Sequence, residues 1–295
     1  MKKKIFVVAN PGAGTKKIES VLRELVDYSS SKGYDYDVFL TAKSRNATKT
    51  VKDNFEESHS DLVILGGDGT INEAINGLVY DRPVGIIPCG SANDFVKNIN
   101  IGKETEEQIH TALNGKKKEI DLGICNKRKF VNGVGIGFDG QIVHNLIHSK
   151  TWVKGPLKYY TNVLKILASY HAKTTMYKIG KEAYSKDLIL LTIGNGSTFG
   201  GSFKLMPNAK IDDGMLDICT IGKIPGLIRF FHIPKLKGGT HTKLKQVDMY
   251  QSKNVKIEEQ PLLKAHIDGE YLGQPPFNIK ILPSALTIRI KEGDQ

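Results

Sequence analysis

A short glycine-rich segment, Gly66–Thr70, constrains the fold of this chain more than any other feature. It directly follows the apolar run Leu62–Leu65 and precedes Ile71–Val79, whose apolar residues recur every three or four positions. That order predicts a buried strand, a tight turn and the start of a helix. Glycines let a backbone approach a phosphate, and a helix N-terminus offers unpaired N–H groups.

Asp68 lies inside this segment and bears on its interpretation. A carboxylate there would repel a phosphate unless a metal ion or a ribose hydroxyl lay beside it. It therefore points to a nucleotide and metal arrangement. Gly and Asp are also common in ordinary tight turns, so these residues alone leave a plain strand–helix connection open.

The composition bounds the class of protein. At 295 residues the chain is long enough for two domains, and no apolar run is long enough to span a bilayer. The run Ile5–Ala9 is too short for a secretion signal, and the three cysteines are too far apart for a disulfide framework. These features predict a reducing, cytoplasmic location.

The net charge of +11 predicts an anionic partner, such as nucleic acid, anionic lipid or the phosphates of a nucleotide. The sequence contains no zinc-finger spacing, no aromatic RNA-binding motif and no long basic tract. We therefore predict no nucleic-acid partner.

The first 125 residues alternate strand and helix patterns. Strands are predicted over Lys4–Ala9, Tyr36–Thr41, Asp61–Leu65 and Pro83–Pro88, with helical patterns between and after them. This order predicts an α/β domain whose parallel sheet has helices on both faces. Three polar turns, Asn10–Gly14, Gly66–Thr70 and Gly90–Asp94, follow these strands. Ligands of such sheets bind beyond the carboxyl ends of the strands, so the three turns are expected to converge.

From Asp121 onward the pattern changes to short β segments, with one convincing helix over Pro156–Tyr170. This half predicts a mainly antiparallel β-sandwich. We place the domains at residues 1–125 and 126–295, with the last strand able to return to the first domain. Gly133–Gly137 is similar to a dinucleotide fingerprint, but we expect it to lead into a β-type stretch, which argues against that function.

Five motifs in order resemble the bacterial diacylglycerol kinases and YegS-like lipid kinases. They are Asn10-Pro11, Gly66–Glu73, Gly90–Phe95, Asp212–Gly214 and Asp268–Glu270. The resemblance covers nearly the whole chain. It implies a first domain like that of NAD kinases and 6-phosphofructokinases, which share the Gly-Gly-Asp-Gly turn.

The resemblance implies an ATP site in the first domain. Its residues would be Asn10, Pro11, Gly12, Ala13, Gly14, Thr41, Gly66, Gly67, Asp68, Gly69, Thr70, Ile71, Asn72, Glu73 and Ser91. Ser91 replaces the usual threonine of the family and keeps its hydroxyl. Some relatives carry a lysine directly after the first glycine turn, where this chain has Thr15 and then Lys16. Either Lys16 makes that phosphate contact or the contact is absent.

By resemblance, Glu270 accepts the proton of a lipid hydroxyl, and Asp268 orients it or binds the active-site metal. The two roles could be exchanged. Asp68 and Asp94 would link this pair to the nucleotide through Mg²⁺ and water, and Asp121 would belong to the same network. Asp268-Gly269 is also a common hairpin signal, and spacing alone favours that interpretation.

A second, structural Mg²⁺ is implied by the resemblance. Its ligands would be the Asp213 carboxylate and the carbonyls of Lys210 and Met215, although the same residues could form a turn stabilised by its own carboxylates. His144 and His148 could share a helix face, but no third zinc ligand is evident nearby.

The stretch Gly226–Lys237 is both apolar and basic. It predicts either contact with a membrane surface or a core helix with basic ends.

Together these features predict a lipid kinase at the inner face of the cytoplasmic membrane, bound peripherally to anionic lipid. ATP·Mg²⁺ would lie between the two domains and diacylglycerol would be the first candidate acceptor. Another lipid, such as phosphatidylglycerol or a sphingosine-like molecule, remains open. So do an NAD kinase-like enzyme, a non-catalytic nucleotide-binding regulator, and a homodimer.

Overall fold

The computed structural model describes residues 2–12, 17–41, 46–148, 156–260 and 262–293. The chain divides into two compact units. The first comprises Met1–Leu122 and Pro283–Gln295, and the second comprises Gly123–Leu282. The C-terminal segment therefore belongs with the first unit, and each unit has its own buried apolar clusters.

The first unit alternates strands and helices. Its strands before residue 100 are β1 (Lys4–Ala9), β2 (Asp35–Leu40), β3 (Asp61–Gly66) and β4 (Val84–Pro88). Its helices are α1 (Lys17–Ser31), α2 (Ala47–Asn54), α3 (Asp68–Gly77) and α4 (Thr105–Asn114), with a 3₁₀ helix at Phe95–Asn98. Strand β1 pairs in parallel with β2 and β3, and β3 pairs in parallel with β4. The predicted parallel α/β sheet is confirmed.

The register of this sheet brings the ends of its strands to one edge. Ala9 pairs with both Leu40 and Leu65, and Gly66 pairs with Pro88. Every residue of β3 is buried, as expected for a central parallel strand covered on both faces. Consequently the turns after β1, β3 and β4 begin beside one another.

A buried ion pair holds the C-terminal segment in the first unit. The Asp61 carboxylate lies 2.5 Å from Nη2 of Arg289 and 3.3 Å from Nζ of Lys3. Ile288 pairs in parallel with Val84 of β4. The last strand thus extends the parallel sheet.

The second unit is mainly antiparallel. The remaining strands are β5 (Lys116–Cys125), β6 (Arg128–Phe130), β7 (Gly133–Gly137), β8 (Lys173–Ile179), β9 (Glu182–Gly194), β10 (Leu216–Gly222), β11 (Val247–Ser252), β12 (Asn254–Ile257), β13 (Ala265–Ile267), β14 (Glu270–Gly273) and β15 (Phe277–Ile290). The helices are α5 (Phe138–His148), α6 (Pro156–Ser169) and α7 (Gly226–Gly238). Strand β9 pairs with β8 through its first half and with β7 and β10 through its second half.

One local prediction was wrong. Gly133–Gly137 leads into helix α5 and not into a β-type stretch. Asp139 lies in the first turn of α5, where a carboxylate is favoured by the unpaired N–H groups, and its Oδ1 accepts the Gly140 N–H at 2.8 Å. The helix predicted over Pro156–Tyr170 is confirmed as α6.

Candidate active site

In the first unit, Asn10 joins the turn after β1 to the start of α3. Its Nδ2 donates to Oγ1 of Thr70 at 3.1 Å, and its Oδ1 accepts the Gly12 N–H at 3.0 Å. Pro11 and Gly12 are exposed. One side chain therefore sets the first turn against the Gly66–Thr70 segment.

Glycines bring the second and third turns into direct backbone contact. A Cβ on Gly90 would lie 2.6 Å from the Cα of Gly67, and a Cβ on Gly66 would lie 2.5 Å from Cβ of Thr70. No side chain fits at these positions without moving backbone or a buried residue. The Asn93 amide donates to the Gly90 carbonyl at 2.8 Å, while its buried Oδ1 has no partner among the described residues.

Asp68 joins the same two turns through its carboxylate. Its two oxygens accept the backbone N–H groups of Asp94 at 3.0 Å and Phe95 at 3.1 Å, at the start of the 3₁₀ helix. Burial raises the pKa of Asp68, and the N–H groups of Phe95 and Asp94 oppose that rise. Asp68 therefore caps the N-terminus of the 3₁₀ helix at Phe95–Asn98, and it is also a candidate site residue.

Other predicted nucleotide residues occupy defined places in this unit. The Glu73 carboxylate accepts the Ala47 N–H at 3.0 Å, where it caps α2. Thr41 is buried and donates its N–H to the Ala9 carbonyl at 2.8 Å, whereas Ser91 is exposed.

Asp94, which the resemblance implies as a catalytic residue, forms an ion pair with Lys97 at 2.8 Å. Ile71 and Asn72 are buried in α3, next to the half-buried Gly69.

Three predicted residues cannot be placed. Ala13 and Gly14, as well as Lys16, lie outside the described residues.

Asp121 also has a structural partner. Its Oδ1 accepts the Ser284 N–H at 2.8 Å, where Ser284 has a left-handed backbone with φ of 47°. Asp121 thus stabilises the turn before the C-terminal segment, and its membership of a catalytic network stays a prediction.

In the second unit, Asp268 and Gly269 form the turn of the β13–β14 hairpin. Both have positive φ, 45° and 84°, and Ile267 pairs with Glu270. Two successive positive φ angles are typical of the tight turn that Asp-Gly favours. The hairpin interpretation of this motif is confirmed, and it is compatible with a catalytic role.

The Asp268 carboxylate fixes this hairpin to the segment before β7. It accepts three backbone N–H groups, from Val131 at 2.8 Å, Asn132 at 3.0 Å and Gly133 at 2.7 Å. The Asp268 N–H donates in turn to the Gly133 carbonyl at 2.9 Å. Because its oxygens are engaged with backbone groups, Asp268 is well suited to hold the turn.

Glu270 is the more accessible carboxylate of the motif. It is half-buried, and its Oε2 lies 2.5 Å from Nη2 of Arg128. A charge-assisted hydrogen bond from an arginine fixes the position of a carboxylate. Sequence reasoning missed Arg128, because the hairpin β5–β6 that carries it contains no motif.

The predicted metal loop contains a turn closed by its own carboxylate. Oδ1 of Asp213 accepts the Met215 N–H at 3.0 Å, and the Lys210 side chain is exposed. Two residues further on, Asp217 is 6% exposed and its Oδ2 has no partner among the described residues. The pKa of Asp217 is raised to about 6, chiefly by burial, with a hydrogen bond from Gln251 lowering it and the charge of Asp213 adding to the rise. Oδ1 of Asp217 accepts a hydrogen bond from Gln251 at 3.3 Å, so only Oδ2 is left for a further ligand, and carboxylate oxygens of this kind suit a hard cation such as Mg²⁺.

His144 and His148 do share a face of α5, with ring centroids 4.3 Å apart. Within the described part of the chain, no group of three or more His, Cys, Asp or Glu side chains is arranged to hold a metal ion.

Helix α7 exposes three of its apolar side chains, Leu227, Ile228 and Phe231. Leu227 is 80% exposed and Phe231 is 78% exposed, whereas Arg229 is only 9% exposed. The Arg229 guanidinium donates to the carbonyls of Ile224, Leu167 and Tyr170, the last at 2.6 Å. These exposed side chains argue against a fully buried core helix, although Leu236 packs against a buried apolar cluster, and contact of α7 with a membrane stays a prediction. None of the described helices combines the length and apolar character needed to cross a membrane.

Comparison with known proteins extends over both units. The family model for the diacylglycerol kinase catalytic domain matches residues 4–125, and the model for the YegS C-terminal NAD kinase beta sandwich-like domain matches residues 132–290. A curated diacylglycerol kinase of Staphylococcus saprophyticus is 28% identical over 282 residues, which cover 94% of this chain and 92% of the relative.

Solved structures show the same fold. A diacylglycerol kinase from Bacillus anthracis superposes with a TM-score of 0.74 at 23% identity, covering 98% of this chain and 97% of the other. An NAD kinase from Archaeoglobus fulgidus in complex with ATP gives a TM-score of 0.54 at 11% identity, covering 98% and 94%. With both family models matched in order along nearly the whole sequence, the chain belongs to the YegS-like diacylglycerol kinase family, whose members are kinases that use ATP as co-substrate.

Proposed function

We propose that this protein is a lipid kinase that transfers the γ-phosphate of ATP to a lipid hydroxyl, with diacylglycerol as the first candidate acceptor. The observation that carries the proposal is the difference between the two carboxylates of the Asp268–Glu270 turn. Asp268 is bound to three backbone N–H groups, which leaves Glu270 as the carboxylate that can meet a substrate.

In the proposed reaction the lipid hydroxyl oxygen attacks the γ-phosphorus of ATP. A new P–O bond forms, the bond to the β,γ-bridging oxygen breaks, ADP leaves, and the hydroxyl proton passes to Glu270. Arg128, whose Nη2 lies 2.5 Å from Oε2 of Glu270, would orient the Glu270 carboxylate before it receives the proton. Asp268 acts as a positioning residue for the turn.

The first unit would bind the nucleotide. Asn10, the glycines at 66, 67 and 90, and the N-terminus of α3 provide close backbone approach and unpaired N–H groups. Asp68 holds the two turns together and, with Asp94, would contact the ATP-bound Mg²⁺ through water. Mg²⁺ supplies charge neutralisation of the phosphates when bound. That the γ-phosphate of the nucleotide reaches Glu270 stays a prediction.

Asp213, with the carbonyls of Lys210 and Met215, would hold a second Mg²⁺ that orders the loop before β10. The role of this ion would be structural. Asp217, whose buried Oδ2 has no partner among the described residues, adds negative charge close to this loop in sequence.

Helix α7 would bind the surface of an anionic membrane. Its exposed apolar side chains, Leu227, Ile228 and Phe231, lie on the same helix as Lys235 and Lys237. Apolar side chains beside lysines suit the boundary between acyl chains and anionic headgroups. The net charge of +11 adds attraction that salt should weaken.

The experiment that tests the proposal supplies radiolabelled ATP and Mg²⁺ with mixed micelles of diacylglycerol, phosphatidylglycerol or a sphingosine-like lipid, and separately with NAD. Label in an extracted lipid, lost in the Glu270→Gln variant, is the expected result. Label in NAD alone would assign the chain to a soluble acceptor. No label in any acceptor, with ATP still bound, would identify a nucleotide-binding regulator.

A further inference from the structure

A buried histidine and a half-buried aspartate form an imidazole–carboxylate pair that contacts the hairpin carrying Glu270. His266 in β13 is 7% exposed, and its Nε2 lies 3.4 Å from Oδ2 of Asp139, in the first turn of α5. Its other ring nitrogen, Nδ1, lies 3.3 Å from the backbone nitrogen of Gly269. Gly269 immediately precedes Glu270, so the pair reaches the centre of the Asp268–Glu270 turn from the side of α5.

The partners define which ring nitrogen carries the proton. The Gly269 N–H can only donate, so Nδ1 of His266 must accept. The proton therefore lies on Nε2, from which it is directed to the Asp139 carboxylate. A carboxylate on one ring nitrogen fixes the tautomer and orientation of a histidine.

Asp139 is itself held in place. Its Oδ1 accepts the Gly140 N–H at 2.8 Å, and its Oδ2 lies 3.4 Å from the Thr192 hydroxyl. The N-terminus of α5 favours a negative charge at this position. The carboxylate is thus fixed by a helix end and a neighbouring strand before it contacts His266.

The sequence makes room for this pair at Gly135. A Cβ on Gly135 would lie 1.9 Å from Oδ2 of Asp139 and 2.4 Å from Nε2 of His266. Any residue with a Cβ at position 135 of β7 would displace the side chains of Asp139 and His266. The glycine at position 135 therefore makes room for the Asp139–His266 pair.

We propose that Asp139 and His266 are positioning residues for phosphate transfer: they hold the Gly269 amide and so fix the turn that presents Glu270. This inference rests on the proposed lipid kinase function. Two supports then act on the turn from different sides. The Asp268 carboxylate binds it to residues 131–133, and His266 binds its Gly269 N–H.

The test compares two amide substitutions of His266. In His266→Asn, the side-chain oxygen can reach the position of Nδ1 and still accept the Gly269 N–H. In His266→Gln, the amide reaches the position of Nε2 and retains only the contact with Asp139. Exposed His171→Asn is the matched control.

We expect His266→Gln to lower kcat roughly 10–100-fold, the range typical when a supporting contact of a reacting group is lost. The KM for ATP should stay unchanged, because the proposed ATP site is formed by other residues. His266→Asn should stay within a few-fold of the wild type, and His171→Asn should match it. Equal kcat losses in the two His266 variants, or losses that only follow the folded fraction, would overturn the proposal.

A spectroscopic measurement tests the same inference without a lipid. In ¹⁵N-labelled wild-type protein, long-range ¹H–¹⁵N correlations should place the His266 proton on Nε2 and leave Nδ1 unprotonated at neutral pH. A proton on Nδ1 would overturn the proposal even if the kinase reaction is observed. Failure of wild-type protein to phosphorylate any lipid would instead count against the proposed function, and the spectrum would still be readable.

Discussion

Two aspartates in glycine turns, Asp68 in the first unit and Asp268 in the second, perform the same structural task. Each carboxylate accepts backbone N–H groups of another segment, two for Asp68 and three for Asp268. The difference lies in exposure, since Asp68 is half-buried at the N-terminus of α3, whereas Asp268 is 8% exposed in a left-handed turn.

The comparison separates residues that build a site from residues that can react. Asp68 retains access to solvent beside the proposed phosphate loops, so it can hold the loops and contact a hydrated ion. Asp268 is buried and leaves the reactive role to Glu270, two residues later and paired with Arg128. A carboxylate in a motif is therefore not automatically the group that takes a proton.

The largest effect on stability is expected at Asp268. Asp268→Ala would leave three buried N–H groups without an acceptor and place alanine at positive φ, so the free energy of unfolding should fall by about 4 kcal/mol or more. Chemical denaturation measures the change. Asp268→Asn, which tolerates positive φ, is the control that isolates the charge and should cost less. If Asp268→Ala lowers the free energy of unfolding by less than about 1 kcal/mol, the Asp268 carboxylate does not hold the hairpin to residues 131–133.

The second support of the same hairpin can be tested at Gly135. Gly135→Ala forces a Cβ against Asp139 and His266, and overpacking of this kind costs about 1–3 kcal/mol. Gly238→Ala is the matched control, because a Cβ there meets nothing within 4 Å. Thermal unfolding of both variants should show a lower Tm only for Gly135→Ala. If Gly135→Ala and Gly238→Ala have the same Tm, the Asp139–His266 pair does not support the hairpin, and Asp268 is its main support.

At Asp68 the expected loss of stability is smaller. Asp68→Ala removes the acceptor of two N–H groups, and unfolding should become easier by roughly 1–3 kcal/mol. Because the turn at Gly90–Asp94 would loosen, ATP affinity should also fall, which calorimetry at a temperature well below the Tm can measure. Asp68→Asn, which keeps one acceptor oxygen and removes the charge, is the control for charge. Unchanged ATP affinity in Asp68→Ala would place the nucleotide elsewhere.

The smallest effect is expected at α7, remote in sequence from both aspartates. Leu227→Ser with Phe231→Ser removes two exposed apolar side chains and should weaken binding to anionic vesicles about tenfold. Stability and the KM for ATP should not change. Vesicle sedimentation measures the binding, with Val79→Ser, an exposed apolar residue of the first unit, as the control. Equal binding by the double variant and the wild type would remove α7 from the membrane surface.

The sequence supported the fold because its signals were local. The fully apolar Leu62–Leu65 and the glycines after it could only form a buried strand and a turn. The helix α5 was missed because the β-like glycine pattern of Gly133–Gly137 masked the helical period that follows it.

Site residues named by motif could be listed from the sequence, but their partners could not. The contacts of Asp268 with residues 131–133 span more than 130 positions, and the Arg128–Glu270 pair spans 142. His266 and Asp139 do not belong to any sequence motif. The need for glycine at position 135 becomes clear only in the structure, where a Cβ would collide with both side chains. Such roles depend on strand register, which periodicity does not specify.

One measurement tests the central claim, that Asp268 builds the turn and Glu270 takes the proton. Lipid phosphorylation per folded molecule and ATP affinity are measured side by side for Glu270→Gln and Asp268→Asn. We predict that Glu270→Gln loses about 10²–10⁴-fold in kcat, the range of a lost general base, with wild-type ATP affinity and Tm. Asp268→Asn should lose mainly stability and retain more transfer than Glu270→Gln. The reverse pattern, with transfer retained in Glu270→Gln and abolished in a stable Asp268→Asn, would contradict the account.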